Sequence, residues 1–130
     1  MNLDDDTRLE PPAVSFVQAT ICHDGSQIWA IDGRECLYHC RGIGSAWSPV
    51  SGRLSQIAVS GNGEHLWGVN SWNQPYYRKG FHGLWKPISG ALSAACVTSA
   101  GSRVWGVDKQ GHVWVCSREM EVLRRASSSC

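Results

Sequence analysis

Residues 54–70 read Leu54-Ser55-Gln56-Ile57-Ala58-Val59-Ser60-Gly61-Asn62-Gly63-Glu64-His65-Leu66-Trp67-Gly68-Val69-Asn70. The first six residues alternate in part, the pattern of a short strand with one covered face. Gly61-Asn62-Gly63 marks a hairpin, because Asn-Gly accepts the two positive φ angles of a type I′ turn. The return strand carries Trp67 and Val69 on one face and Leu66 and Gly68 on the other. Neither face is polar, so this strand must be covered on both sides. One face is bulky and the other small. The bulky face of one unit is therefore expected to nest against the small face of the next.

The stretch recurs along the chain. Trp29, Trp67 and Trp105 are separated by steps of 38 residues. Asp32, Asn70 and Asp108 keep the same step, as do Gly25, Gly63 and Gly101, and Phe16, Leu54 and Leu92. The aromatics Tyr38, Tyr76 and Trp114 follow it too. Trp47 with Trp85, Gly42 with Gly80, and Gly52 with Gly90 show it once each. No insertion or deletion interrupts the register between Phe16 and Trp114, so the chain is an internal repeat.

Each unit has two further strands. Asp32-Gly33 and the segment Asp108 to Gly111 supply a second turn. A third strand then carries Tyr38, Tyr76 or Trp114. The fourth reads Ala46-Trp-Ser-Pro-Val50 or Leu84-Trp-Lys-Pro-Ile88. Pro49 and Pro87 have no N–H to donate, which places this strand at a sheet edge. Four short antiparallel strands per repeat, with both faces covered, describe a β-propeller blade. The expected class is all-β: an acidic tail at 1–12, repeats at 13–53, 54–91 and 92–120, and a C-terminal tail at 121–130. The third repeat is expected to be incomplete, since Leu123 stands where the fourth-strand Trp belongs, and Glu119 to Ala126 could form a short helical tail or a poor fourth strand.

The strings Trp47-Ser-Pro-Val-Ser-Gly52, Leu66-Trp-Gly-Val-Asn70, Tyr76-Tyr-Arg78, Trp85-Lys-Pro-Ile-Ser-Gly90 and Val104-Trp-Gly-Val-Asp108 resemble tectonin repeats. The resemblance spans residues 16–117. It implies a propeller, six-bladed in the lectins of that family, which bind sugars or bacterial lipopolysaccharide. The expected function is thus a carbohydrate-binding lectin recognising glycans or lipopolysaccharide, in the manner of innate-immunity pattern recognition. The alternative is a non-enzymatic protein-interaction scaffold, like the intracellular tectonin-repeat proteins of autophagy and membrane trafficking. Three blades do not close a six-bladed ring. The chain is expected to be a partial propeller, either a fragment or a half-ring that self-associates to complete six blades.

Among candidate functional residues, Trp72 stands apart, because its repeat equivalents are Arg34 and Gln110. It lies in the turn after Asn70. With Asn70, Asn73, Gln74, Tyr77 and Arg78 nearby, it has the composition of a sugar site. C–H faces of sugar rings stack on an indole, while amides and guanidinium bond hydroxyls. Trp85, like its equivalent Trp47, is expected to be structural core, with a sugar-facing role as the alternative. The alternative for Trp72 is an indole folded onto the blade edge. Trp29, Trp67, Trp105, Tyr38, Tyr76 and Trp114 are expected to be the repeated core. Asp32, Asn70 and Asp108 are expected to cap turns through Asx hydrogen bonds.

Other classes fare poorly. A net charge of +1, with 18% charged residues, provides no strong field for nucleic acid. No apolar run approaches the roughly 18 residues of a transmembrane helix, so no membrane insertion is expected. The acidic start, Met1 to Asp6, lacks the apolar core of a signal peptide, which leaves secreted and cytoplasmic locations both open. The six Cys do not pair along the repeat, and free buried thiols are expected. Cys36, His39 and Cys40 alternate faces on one strand, which argues against a zinc site. The His residues share no repeat position, and no catalytic or phosphate-binding motif is present. Neither an enzyme nor a cofactor or metal is expected.

Overall fold

The computed structural model describes residues 15–42, 44–97, 103–116 and 123–125, the side chains of Cys96 and Val97 excepted. It is built of three four-stranded antiparallel sheets. Sheet one comprises β1 (Phe16–Ile21), β2 (Ile28–Asp32), β3 (Cys36–Cys40) and β4 (Ser48–Arg53). Sheet two comprises β5 (Gln56–Val59), β6 (His65–Val69), β7 (Pro75–Lys79) and β8 (Lys86–Pro87). Sheet three comprises β9 (Ala94–Val97), β10 (Val104–Val107), β11 (Val113–Cys116) and β12 (Arg124–Arg125). Strands pair in chain order within each sheet, so the fold is a run of three propeller blades.

The cores lie between sheets. Trp29, Ile31 and Leu37 of sheet one pack against Leu54, Ile57, Val59 and Leu66 of repeat two. One step along, Trp67, Val69 and Ile88 pack against Leu92, Ala95, Val104 and Leu123. Both tryptophans are fully buried. Burying a large apolar side chain of this kind stabilises by about 1.5–3 kcal/mol.

The innermost strands are stitched by glutamine. The Gln18 side chain donates to the Ile57 carbonyl at 2.7 Å and accepts from the Ile57 N–H at 3.0 Å. Gln56, one repeat later, accepts from the Ala95 N–H at 2.7 Å. An edge strand leaves every second N–H and C=O unpaired, and the amide satisfies both groups at once. The third repeat has Ala94 at this place.

Four expectations are corrected. The hairpin after β5 is not a two-residue type I′ turn, since only Gly63 of Gly61–Gly63 has positive φ, at +78°. Ser60 and His65 close a four-residue loop instead, with the Ser60 N–H donating to the His65 carbonyl at 2.8 Å. The Asn62 side chain takes the Ser60 hydroxyl and the Glu64 N–H, which frees the loop from a second left-handed residue. Gly68 and Gly106 do not receive a neighbour's indole. A Cβ on Gly68 would lie 2.3 Å from Cδ1 of Leu54, and one on Gly106 would lie 2.7 Å from Cδ1 of Leu92. The small residue makes room for the leucine of its own repeat.

Indole-on-glycine nesting occurs elsewhere: Cδ1 of Trp85 lies 3.2 Å from the Cβ position of Gly52. Leu123 takes the same place over Gly90, at 3.0 Å, and is buried. Leucine fills the apolar slot of the indole, so the third sheet acquires its fourth strand within the segment assigned to a tail. Arg124 and Arg125 pair with Val115 and Trp114. Finally, Trp105 is not in the core. It is 38% exposed, because among the described residues no sheet packs on its far side.

Replacing Gln18 by Ala leaves the N–H and C=O of Ile57 unpaired. The expected loss is about 1–3 kcal/mol, read from the urea midpoint. An unchanged midpoint would show that the amide does not hold the junction.

Candidate functional site

The turns fall into two sets at opposite ends of the sheets. At one end lie the β2–β3, β6–β7 and β10–β11 turns, built alike. The Asp32 carboxylate accepts from the N–H groups of Arg34 and Cys36, Asn70 from Trp72 and Gln74, and Asp108 from Gln110 and His112. Each turn then has a left-handed residue: Glu35 at φ +69°, Asn73 at +66° and Gly111 at +86°. The second oxygen of Asp108 accepts the Trp114 indole N–H at 2.9 Å, and that bond foremost holds the carboxyl down to about 2.

Trp72 projects from the second of these turns, 84% exposed. Asn70 and Asn73 share its turn. The rest of the expected cluster is dispersed. Arg78 lies at the far end of β7 and is buried, its guanidinium 5.2 Å from the Trp29 ring and 5.5 Å from the Trp85 ring. Its Nε donates to the Gly80 carbonyl at 3.1 Å and its Nη2 to that of Phe81. An arginine clasped between two indoles locks blades one and two together, worth about 0.5–2 kcal/mol per ring. Tyr77 is half-buried, with its hydroxyl 2.7 Å from Nδ1 of His65. Trp85 is half-buried at the outer junction of the first two sheets. Strand β7 carries consecutive residues to opposite faces, so closeness in sequence did not bring these groups to one surface.

The opposite end holds a cleft that the sequence did not disclose. The β1–β2 and β3–β4 loops of blade one and the β5–β6 and β7–β8 loops of blade two enclose about 390 Å³. Phe81 forms part of its wall. Its ring packs 4.4 Å from that of His39, and Arg41 lies over it at 5.8 Å. Arg41, Lys79 and His82 supply basic groups against one acid, Glu64. Ser26, Gln27 and Asn62 add neutral donors and acceptors. These residues come from two different repeats, and Phe81 has no aromatic equivalent at position 43 or 119, so no periodic signal marks them. A second cleft, of about 430 Å³, opens at the turn end between blades two and three, lined by Asn73, Asp108, Gln110 and Trp114 among others. Among the described residues no cluster of His, Cys, Asp and Glu has the arrangement of a metal site. Cys22, Cys36 and Cys40 are free thiols.

A Tectonin domain model matches residues 12–128. No curated protein matches the chain in sequence. Among solved structures, YCF48 from Cyanidioschyzon merolae is similar with a TM-score of 0.68 at 14% identity, over 86% of this chain and 39% of that one. Human WBSCR16 is similar with a TM-score of 0.70 at 13% identity, over 95% of this chain and 40% of that one. A structure of YCF48 bound to D1 peptide gives 0.65 at 14% identity. At such identities the likeness concerns the fold, a partial propeller. The chain spans about two-fifths of the structures it matches.

His39 gives the first junction a pH dependence. It is buried between Trp29 and Phe81, with Nε2 2.6 Å from Oε1 of Gln27. Burial, and then the positive neighbours Arg41, Arg78 and His82, pull its imidazole below the ordinary value of 6.5. The native state therefore binds fewer protons than the unfolded chain below that value. Stability should be level above pH 6.5 and fall as pH drops below it. The urea midpoint is expected to be lower at pH 5 than at pH 7.5, with the difference reduced in His39→Phe.

Proposed function

The chain belongs to the tectonin family, and on that premise we propose that it binds carbohydrate without catalysis, recognising glycans or bacterial lipopolysaccharide at clefts between blades. The observation that carries this reading is the open cleft at the first junction. An aromatic wall at Phe81 suits the C–H face of a sugar ring, and the surrounding amides, hydroxyl and cations suit its hydroxyls. Three basic side chains against Glu64 favour an acidic or phosphorylated saccharide. Trp72, with Asn70 and Asn73, offers a separate stacking platform at the other end of the blades. Such shallow sites bind weakly one at a time, and repetition along an array of sugars supplies avidity.

A second reading is a non-enzymatic protein-interaction scaffold. It is favoured by the apolar outer face of sheet three, where Trp105, Val107 and Val113 are each about 40% exposed.

A glycan array with lipopolysaccharide controls separates the two. Arg41→Ala combined with Lys79→Ala is expected to weaken acidic ligands at least tenfold, since each charge-assisted hydrogen bond contributes about 1.5–3 kcal/mol. Trp72→Ala should leave the unfolding midpoint unchanged and weaken retention on a glycan matrix. A chain that binds nothing on the array, yet retains a protein partner in a pull-down, would select the scaffold.

A further inference from the structure

The molecule carries, at its two ends, the two halves of its own internal junction. The covering half at the first junction is Ile57, Val59 and Leu66. One repeat earlier, these positions are Ala19, Ile21 and Ile28 of sheet one, where Ile21 is 56% exposed and Val59 only 8%. The covered half is Trp29, Ile31 and Leu37, each at most 1% exposed. Its equivalents in sheet two, Trp67, Val69 and Pro75, are buried as well. In sheet three the same three positions are Trp105, Val107 and Val113, at 38%, 40% and 42%. Equivalent side chains thus differ in burial according to whether a further sheet lies against them.

We propose that a second copy of this chain docks head to tail, seating Ala19, Ile21 and Ile28 of its first sheet on Trp105, Val107 and Val113 of the third. The occupant follows from the molecule's own two junctions, in which the surface covering each tryptophan face comes from the positions that sheet one leaves open. Such a contact is heterologous, so each copy keeps one free half until a ring closes. It lacks one group that both internal junctions have. Gln18 and Gln56 clasp the backbone of the following sheet, and Ala94 occupies that place in sheet three. The contact between copies is therefore weaker than the junctions within one copy.

Light scattering and sedimentation of the full chain across about 1–200 μM test this. The mass should rise with concentration from 14.3 kDa to at least twice that value. Trp105→Arg and Ile21→Glu should each hold the chain at 14.3 kDa with unchanged far-ultraviolet dichroism. An equimolar mixture of the two variants should regain association, since each retains the half that the other lost. Ala94→Gln restores the missing clasp and should tighten association about tenfold, the equivalent of about 1.4 kcal/mol. A monomer throughout the range overturns the proposal. So does an association that Ile21→Glu leaves untouched, or one that Ala94→Gln leaves unchanged.

Discussion

A sheet with two apolar faces cannot stop at water. That constraint organises this chain. Trp29 and Trp67 are fully buried because the next sheet lies over them, and the equivalent indole of the third repeat, Trp105, is partly bare. The difference in burial arises from position in the stack rather than from local sequence, since Val104-Trp105-Gly106-Val107 is nearly the same string as Leu66-Trp67-Gly68-Val69. Hydrophobic burial here is a property of pairs of blades. A single blade of four short strands, isolated, would expose the apolar area that the pair removes from water.

Polar groups then make each junction specific. Gln18 fixes the height of one inner strand against the next by answering both a donor and an acceptor of Ile57. The first junction adds Arg78 between Trp29 and Trp85, and His39 between Trp29 and Phe81. At the second junction Cys116 occupies the repeat position of Arg78 and packs in the core with Trp67. Two junctions of one backbone plan therefore have different electrostatics. The cleft rimmed by Arg41, Lys79 and His82 belongs to the first alone.

The repeat made the fold legible. The 38-residue step, the Asx residues of the turns and the prolines of the outer strands all correspond to elements of the structure. Leu123 lacks the indole of its repeat equivalents, yet the slot over Gly90 requires only an apolar side chain, and a short fourth strand forms beside it. Gly68 of β6 and Gly106 of β10 make a related point, since each accommodates a leucine of its own repeat rather than a neighbour's indole. Face alternation shows that space is needed and not which side chain fills it. The site was less legible. Residues gathered around Trp72 in sequence are split by the strand β7, while the first cleft assembles from loops in separate repeats.

The left-handed residues of the first two turns also serve the next repeat. The carbonyl of Glu35 accepts the Leu54 N–H at 3.1 Å, and that of Asn73 accepts the Leu92 N–H at 2.9 Å. The start of one unit is thereby moored to a turn inside the unit before it. Duplicating or deleting one whole 38-residue module would carry mooring and docking point together. Arrays of this kind can change their number of modules in evolution without inventing a new splice.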